Sequence, residues 1–228
     1  MQKRGANKAA SASTVGVIAS RADLRWAHQM QRLPDFFELR LDYLRQLRES
    51  ELAGLKCPLI ITARSRAEGG ATNLNETTRR DLLLKFLPHA AFVDVELRSL
   101  PRLRSVWDEA QRQGVGRICS LHDHDRTPAL SVLVRYLKRA KALKADVFKL
   151  VTRADSVDSV SSLLNFLRNK RAPRLRCVMA TGRFGRISRL LFPECGSTLV
   201  YAPVRKVFHD GQLTLKELQA FRDFYAKT

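Results

Sequence analysis

Eight short apolar runs punctuate the chain, at residues 15–19, 36–41, 58–62, 91–97, 117–121, 146–151, 175–179 and 197–201. Each is followed by a segment with helical features. The spacing predicts helices over 23–31, over a charged stretch reaching Leu55, and from an Asn75 or Thr77 cap to Leu87. Leu103, Val106, Trp107 and Ala110 recur at i, i+3, i+4 and i+7, and Gly114 and Gly116 end that helix. Pro128 opens a helix with Leu130, Leu133, Val134 and Leu137 on one face. Further helices are expected over 156–167, 185–191 and 214–225, the last with Leu215, Leu218, Phe221 and Tyr225 on one side. Eight β-then-α units in about 210 residues predict an α/β protein, a (β/α)8 TIM barrel forming one catalytic domain over 14–228. A doubly wound open sheet shares this alternation, but it normally brings a Gly-rich turn after the first strand. Here the first run leads into Ser20-Arg-Ala-Asp23, and no GxGxxG or Walker sequence occurs.

The polar positions inside the runs are the informative ones. Residues two apart on a strand share a face. On that basis Glu38, Arg40 and Asp42 group together, as do Thr62 with Arg64, Asp94 with Glu96, Ser120 with His122, and Val147, Lys149 and Val151. Barrel strands are covered on both sides, so an unpaired charge there costs several kcal/mol. Charges on successive strands, read as lying toward the strands' C-terminal ends, point to one site at the barrel mouth.

Lys149 sits in an apolar context, Val-Phe-Lys-Leu-Val. Burial and neighbouring Arg40 or Arg64 cations are expected to depress its pKa and free the amine to attack a ketone. The resulting iminium is an electron sink that acidifies the adjacent C–H. His122 is the only strand-end histidine expected to face inward and take that proton. His28, His89, His124 and His209 fall in helix or loop segments, most of them expected at the surface. Lysine and histidine in an arginine-lined barrel argue for imine chemistry on a carboxylated ketone.

Composition narrows the partners. Lys+Arg 41 against Asp+Glu 22 gives a net charge of +19, which suggests anionic company: nucleic acid, an acidic surface or a small acidic substrate. Much of the excess is Arg79, Arg80, Arg102, Arg104, Arg135 and Arg139 in helix-like segments, read as solvated faces. No helix-turn-helix, zinc finger or aromatic RNA platform is present, so nucleic acid is not the expected partner. No apolar run approaches the roughly 18–20 residues that cross a bilayer. Cys57, Cys119, Cys177 and Cys195 show no metal-ligand spacing, and three lie in apolar runs as inert thiols. With no disulfide framework and no signal-peptide apolar region, the expectation is a cytoplasmic protein needing no metal and no cofactor. Residues 1–13 read as a flexible basic arm.

Taken in order, the motifs are Glu38-Leu-Arg-Leu-Asp42, Thr62-Ala-Arg-Ser-Arg-Ala-Glu-Gly-Gly70, Val93-Asp-Val-Glu-Leu97, Ser120-Leu-His-Asp123 with Thr127-Pro128, Asp146-Val-Phe-Lys149, Gly185-Arg-Ile-Ser-Arg189, Gly196-Ser197 and Gly211-Gln212. With this series the chain resembles type I 3-dehydroquinate dehydratases, the Schiff-base class, from about Val15 to Tyr225. The resemblance implies dehydration of 3-dehydroquinate in the shikimate pathway, through an imine on Lys149 with His122 as base and Glu68 orienting it. It implies that Arg189 grips the substrate carboxylate, that Glu38, Arg40 and Arg64 hold ring hydroxyls, and that Gln212 reaches in from a closing loop. Asp94 and Glu96 are implied as supports of the charged floor, with Asp42, Asp94 and Glu96 also readable as structural ion-pair members. A homodimer is compatible with the resemblance but follows from no residue.

Departures from the family pattern cluster in that closing loop, Phe208-His-Asp-Gly-Gln212. Phe208 stands at the serine position that contacts substrate, and Asp210 at the loop proline. Thr181 stands where the family has a methionine near the imine, and Arg183 is expected near the entrance. The short N-terminal extension implies that a β-hairpin closing the barrel bottom is missing. Trp26 and Trp107 read as core or interface residues. The alternatives are another lysine-imine barrel such as a class I aldolase, and a non-catalytic basic binding protein on the same scaffold.

Overall fold

The computed structural model describes residues 12–71, 74–169 and 176–225. Eight parallel strands run Ser13–Ile18 (β1), Phe36–Arg40 (β2), Leu59–Thr62 (β3), Phe92–Glu96 (β4), Gly116–Asp123 (β5), Val147–Arg153 (β6), Arg176–Thr181 (β7) and Leu199–Pro203 (β8). They lie in the order β7-β6-β5-β4-β3-β2-β1-β8, with β8 paired in parallel to β1. Across the remaining seam the Thr198 amide donates to the Arg176 carbonyl at 2.8 Å, and the Val178 amide donates to Ser197 Oγ at 2.9 Å. The sheet is therefore a nearly closed barrel, as the alternating pattern predicts.

The outer layer is Arg21–Gln29 (α1), Glu76–Phe86 (α2), Arg104–Arg112 (α3), Leu130–Ala142 (α4), Val157–Arg168 (α5), Gly185–Glu194 (α6) and Leu215–Tyr225 (α7). Local chemistry sets several of their starts. Ser20, Asn75 and Ser156 each accept a hydrogen bond from the amide three residues on, at 3.0, 2.8 and 3.2 Å. Thr214 and Glu217 make a reciprocal capping box.

The β2 unit differs from expectation. No α-helix forms between Arg40 and Leu59; the chain makes successive turns and a 3-10 segment, Glu49–Leu52. Asp42 turns inward to hold Arg40, and Leu41, Leu44, Leu47 and Leu52 are buried. The arm expected over 1–13 lies largely outside the described residues, as does the expectation about a bottom hairpin, and β1 opens at Ser13.

Alternation along each strand divides the core in two. Phe148 and Leu150 point outward into the layer between sheet and helices, with Trp107, Leu133, Leu163, Phe166 and Phe192. Val147 and Val151 point inward, with Val15, Val17, Ile60, Ile118, Cys177, Met179, Leu199 and Tyr201. Lys149 lies between Val147 and Val151 and shares their face. Trp107 is buried and its Nε1 donates to the Leu143 carbonyl at 3.0 Å. Trp26, by contrast, is half exposed on α1 and not in the core.

Trp107→Ala is expected to destabilise the fold by about 3–5 kcal/mol, because the cavity it leaves adds to the lost transfer energy. Chemical denaturation should show the midpoint falling at unchanged slope.

Candidate active site

Lys149 is the third of the seven β6 residues and is buried. Its Nζ donates to Asp94 Oδ2 at 3.0 Å and to Glu38 Oε1 at 3.3 Å, and lies 3.7 Å from the centroid of the Tyr201 ring. This corrects one expectation. The direct neighbours of Lys149 are carboxylates and a ring face, and Arg64 reaches it only through Asp94. The two carboxylates ion-pair with the amine and hold it in place.

The network extends across the barrel. Arg64 Nη2 donates to Asp94 at 2.9 Å and Nη1 to Ser120 Oγ at 2.6 Å; Ser120 Oγ in turn meets Asp94 Oδ1 at 2.5 Å. Thr62 donates to Glu38 at 2.9 Å. Glu96 accepts from Arg79 and, at 2.7 Å, from the Ser65 amide, with Arg64 Nη1 3.4 Å away. Asp42 chelates Arg40 and accepts from the Ala71 amide at 3.0 Å. Asp42, Asp94 and Glu96 are thus all ion-pair members. Arg79, read from the sequence as solvated, is buried: its Nε donates to the Ala63 carbonyl at 2.7 Å and its Nη1 to Ser99 at 3.0 Å. A helix-borne arginine with a buried acid within reach turns inward, which periodicity does not reveal.

Burial alone would raise the Asp94 carboxyl, but Arg64 and Lys149 outweigh it and hold it well below the usual range. Burial likewise opposes the Arg64 charge, and Asp94 and Glu96 overcome it. The charged groups also sit deeper than expected. Glu38, Asp94 and Lys149 lie mid-strand and form a floor, while Arg40, Glu96 and His122 lie at or near strand ends.

His122 stands two rungs above the Ser120–Lys149 pair, opposite Val151, so its side chain shares the inward face beside Lys149. Glu68, on the 3-10 turn Arg66–Glu68, accepts from the His122 amide at 2.8 Å and lies 3.2 Å from His122 Nδ1. With the proton on Nδ1 donated to Glu68, Nε2 is left with its lone pair and makes no hydrogen bond among the described residues. Burial first, then the Arg64 and Lys149 cations, drive the imidazole well below its ordinary pKa. Burial pushes the Glu68 carboxyl up to about 7 against the attraction of Arg64.

Arg189 on α6 is buried and has no acidic partner among the described residues. Its Nη1 donates to the carbonyls of Ala180, Gly185 and Gly211 at 2.8, 2.8 and 2.9 Å, and Nε to that of Tyr201 at 3.3 Å. Its Nη2 makes no hydrogen bond among the described residues. Burial lowers its pKa to about 10, so it stays cationic at neutral pH. Gln212 Oε1 accepts from the Phe208 and His209 amides at 2.7 and 3.2 Å, which shapes the closing loop. The Phe208 ring lies 5.9 Å from that of Tyr43.

One cavity gathers Glu38, Arg40, Arg64, Glu68, His122, Lys149, Arg189, Phe208 and Gln212, along with Thr181, while the supports Asp42, Asp94 and Glu96 lie behind its lining. Arg183 is exposed and does not line it. Sequence reasoning missed Met179 and Tyr201, which continue the inward periodicity of β7 and β8, and His124 and His209. His124 lies two residues beyond His122, a spacing that signals the same face.

The profile of the type I 3-dehydroquinase family matches residues 14–227. The chain belongs to the type I 3-dehydroquinase family. Among its relatives, the 3-dehydroquinate dehydratase of Pyrococcus abyssi is 35% identical over 190 residues, covering 81% of this chain and 85% of that protein. That of Klebsiella pneumoniae is 30% identical over 207 residues, covering 83% and 82%. The crystal structure of the Geobacillus kaustophilus 3-dehydroquinate dehydratase superposes with a TM-score of 0.86 at 24% identity, covering 96% of this chain and 92% of that one, and shows the same fold. Membership in the family removes the open sheet and the non-dehydroquinase barrels from consideration.

The raised Glu68 carboxyl is protonated more readily in the fold than in the unfolded chain. Its contribution to stability is full below its ordinary 4.5 and is lost as pH rises through about 7. The stability of Glu68→Gln relative to the parent should therefore rise across that window, as measured by denaturant titrations at stepped pH. Equal slopes in the two proteins would contradict the raised carboxyl.

Proposed function

We propose that this chain dehydrates 3-dehydroquinate to 3-dehydroshikimate, the third step of the shikimate pathway, through an imine on Lys149. The observation that carries the reading is a buried primary amine and a carboxylate-oriented imidazole on adjacent strands, facing one arginine-lined cavity. The deprotonated Lys149 amine adds to the substrate ketone, and loss of water from the carbinolamine leaves a protonated imine. That cation draws electrons from the neighbouring C–H bond. His122 Nε2 takes the proton, giving a neutral enamine. The enamine pushes out the β-hydroxyl, to which His122 returns the proton, so one water leaves. Water then hydrolyses the conjugated imine and frees Lys149.

The remaining residues bind. Arg189, with Nη2 unused, holds the substrate carboxylate. Glu38, Arg40 and Arg64 hold the ring hydroxyls: each lines the cavity, and each is fixed on its far side by Thr62, Asp42 or Asp94. Gln212 and Phe208 close the mouth.

A cytoplasmic location belongs to the same reading, supported by Cys57, Cys119, Cys177 and Cys195, all free thiols. Among the described residues, no helix is long and apolar enough to cross a membrane. A homodimer belongs to it too, with exposed Ile187, Leu191 and Phe224 on α6 and α7 as the face a second copy would cover.

Borohydride added with 3-dehydroquinate should leave a stable adduct that peptide mass mapping places on Lys149. Lys149→Ala should give neither adduct nor turnover; full activity in that variant would overturn the mechanism. His122→Ala should lower kcat by about 10²–10⁴-fold, the contribution of a positioned base.

Phe208→Ser should lower KM about 2- to 10-fold by restoring one hydroxyl contact, with kcat little altered. Steady-state kinetics on the purified variant read this directly, and a raised KM would show that the Tyr43–Phe208 contact matters more.

A further inference from the structure

Three imidazoles form a row from the end of β5 to the mouth of the site. The His122 and His124 rings stack at 6.1 Å with 25° between their planes, and the His124 and His209 rings lie 5.6 Å apart at 37°. All three line the catalytic cavity, and His124 and His209 also wall a second cavity beside it, with Arg153, Thr181 and Asp210. His124 is the anomaly. Its Nε2 is buried with no hydrogen-bond partner among the described residues, and it packs so closely on Gly69 that a Cβ there would come within 2.8 Å. An unpartnered buried nitrogen costs free energy unless the ring's position is itself useful. His209 comes from the closing loop, where Gln212 Oε1 holds its amide and Gly211 is tied to Arg189.

We propose that His124 and His209 are positioning residues for the catalytic base: the loop places His209 on His124, and His124 covers the open face of His122. The inference rests on His122 being the base. Glu68 fixes one edge of the His122 ring; the column covers its face and keeps bulk water from it. The groups facing His122 are Glu68 from the turn after β3, Arg64 from the end of β3, Arg40 from β2, Lys149 from β6, His124 from the continuation of β5, and His209 from the loop. All but Glu68 are cationic or become so on protonation, so a column that limits water at His122 favours the unprotonated base. Closure of the loop over substrate and readiness of the base are thereby one event.

The test compares His124→Ala, His124→Phe and His209→Ala in the full chain. Readouts are the pH profile of kcat and the rate at which diethyl pyrocarbonate modifies His122, followed by mass mapping. His124→Ala and His209→Ala should move the acidic limb of kcat upward by about one pH unit and speed His122 modification several-fold, as rehydration allows. His124→Phe keeps a flat cover without a titrating nitrogen and should recover most of the kcat lost in His124→Ala. An unmoved limb in both alanine variants, or a phenylalanine variant no better than alanine, overturns the column. Should His124→Ala fail to fold, His209→Ala on its exposed loop decides the point. Borohydride trapping keeps the two readings apart. A parent protein that forms no adduct defeats the dehydratase reading and the column with it; a parent that does, with variants indistinguishable from it, defeats the column alone.

Discussion

A buried amine needs company of the opposite sign, and everything in this barrel's interior follows from that. Lys149 projects into the interior of a nearly closed barrel, where it is buried from bulk water. Asp94 and Glu38 balance its charge. Those carboxylates are themselves buried, and each draws further partners: Arg64 and Ser120 for Asp94, Thr62 for Glu38. Arg64 then needs Glu96, and Glu96 needs Arg79. The chain of compensation ends on α2, in the outer layer. Low dielectric makes each link strong and each missing partner costly, so the network is all present or badly destabilising.

The same physics separates the roles of two neighbouring groups. Lys149 lies in the carboxylate-rich floor. His122, two rungs higher, lies among cations and away from water, which keeps its imidazole neutral and fit to accept a proton. Glu68 is close enough to orient the ring and buried enough that its own charge is weakened. The proposed nucleophile and the proposed base thus lie at different depths of one barrel, and differences in environment set them apart.

The closing loop shows how a family site accommodates departures. Phe208 packs toward Tyr43, and Asp210 stands where a proline would stiffen the chain. Loop order comes instead from Gln212 gripping the Phe208 and His209 amides, and from Gly211, whose φ of 77° suits glycine and whose carbonyl meets Arg189. Arg189, proposed to bind the substrate carboxylate, therefore also anchors this loop.

Much of this was legible in the residues alone. Alternation of apolar runs with helical spacing determined the barrel, because strand and helix periods are local properties of a chain. Polar residues two apart within apolar runs identified the inward face, and all nine proposed site residues line one cavity. What only the tertiary structure decided is who stands next to whom. It put carboxylates where arginines were expected around Lys149, drew Arg79 inward from a helix read as solvated, replaced the helix after β2 with turns, and brought His209 onto His124 across 85 residues of chain. Pairing between distant segments depends on register, depth and burial together, and no window of sequence contains those.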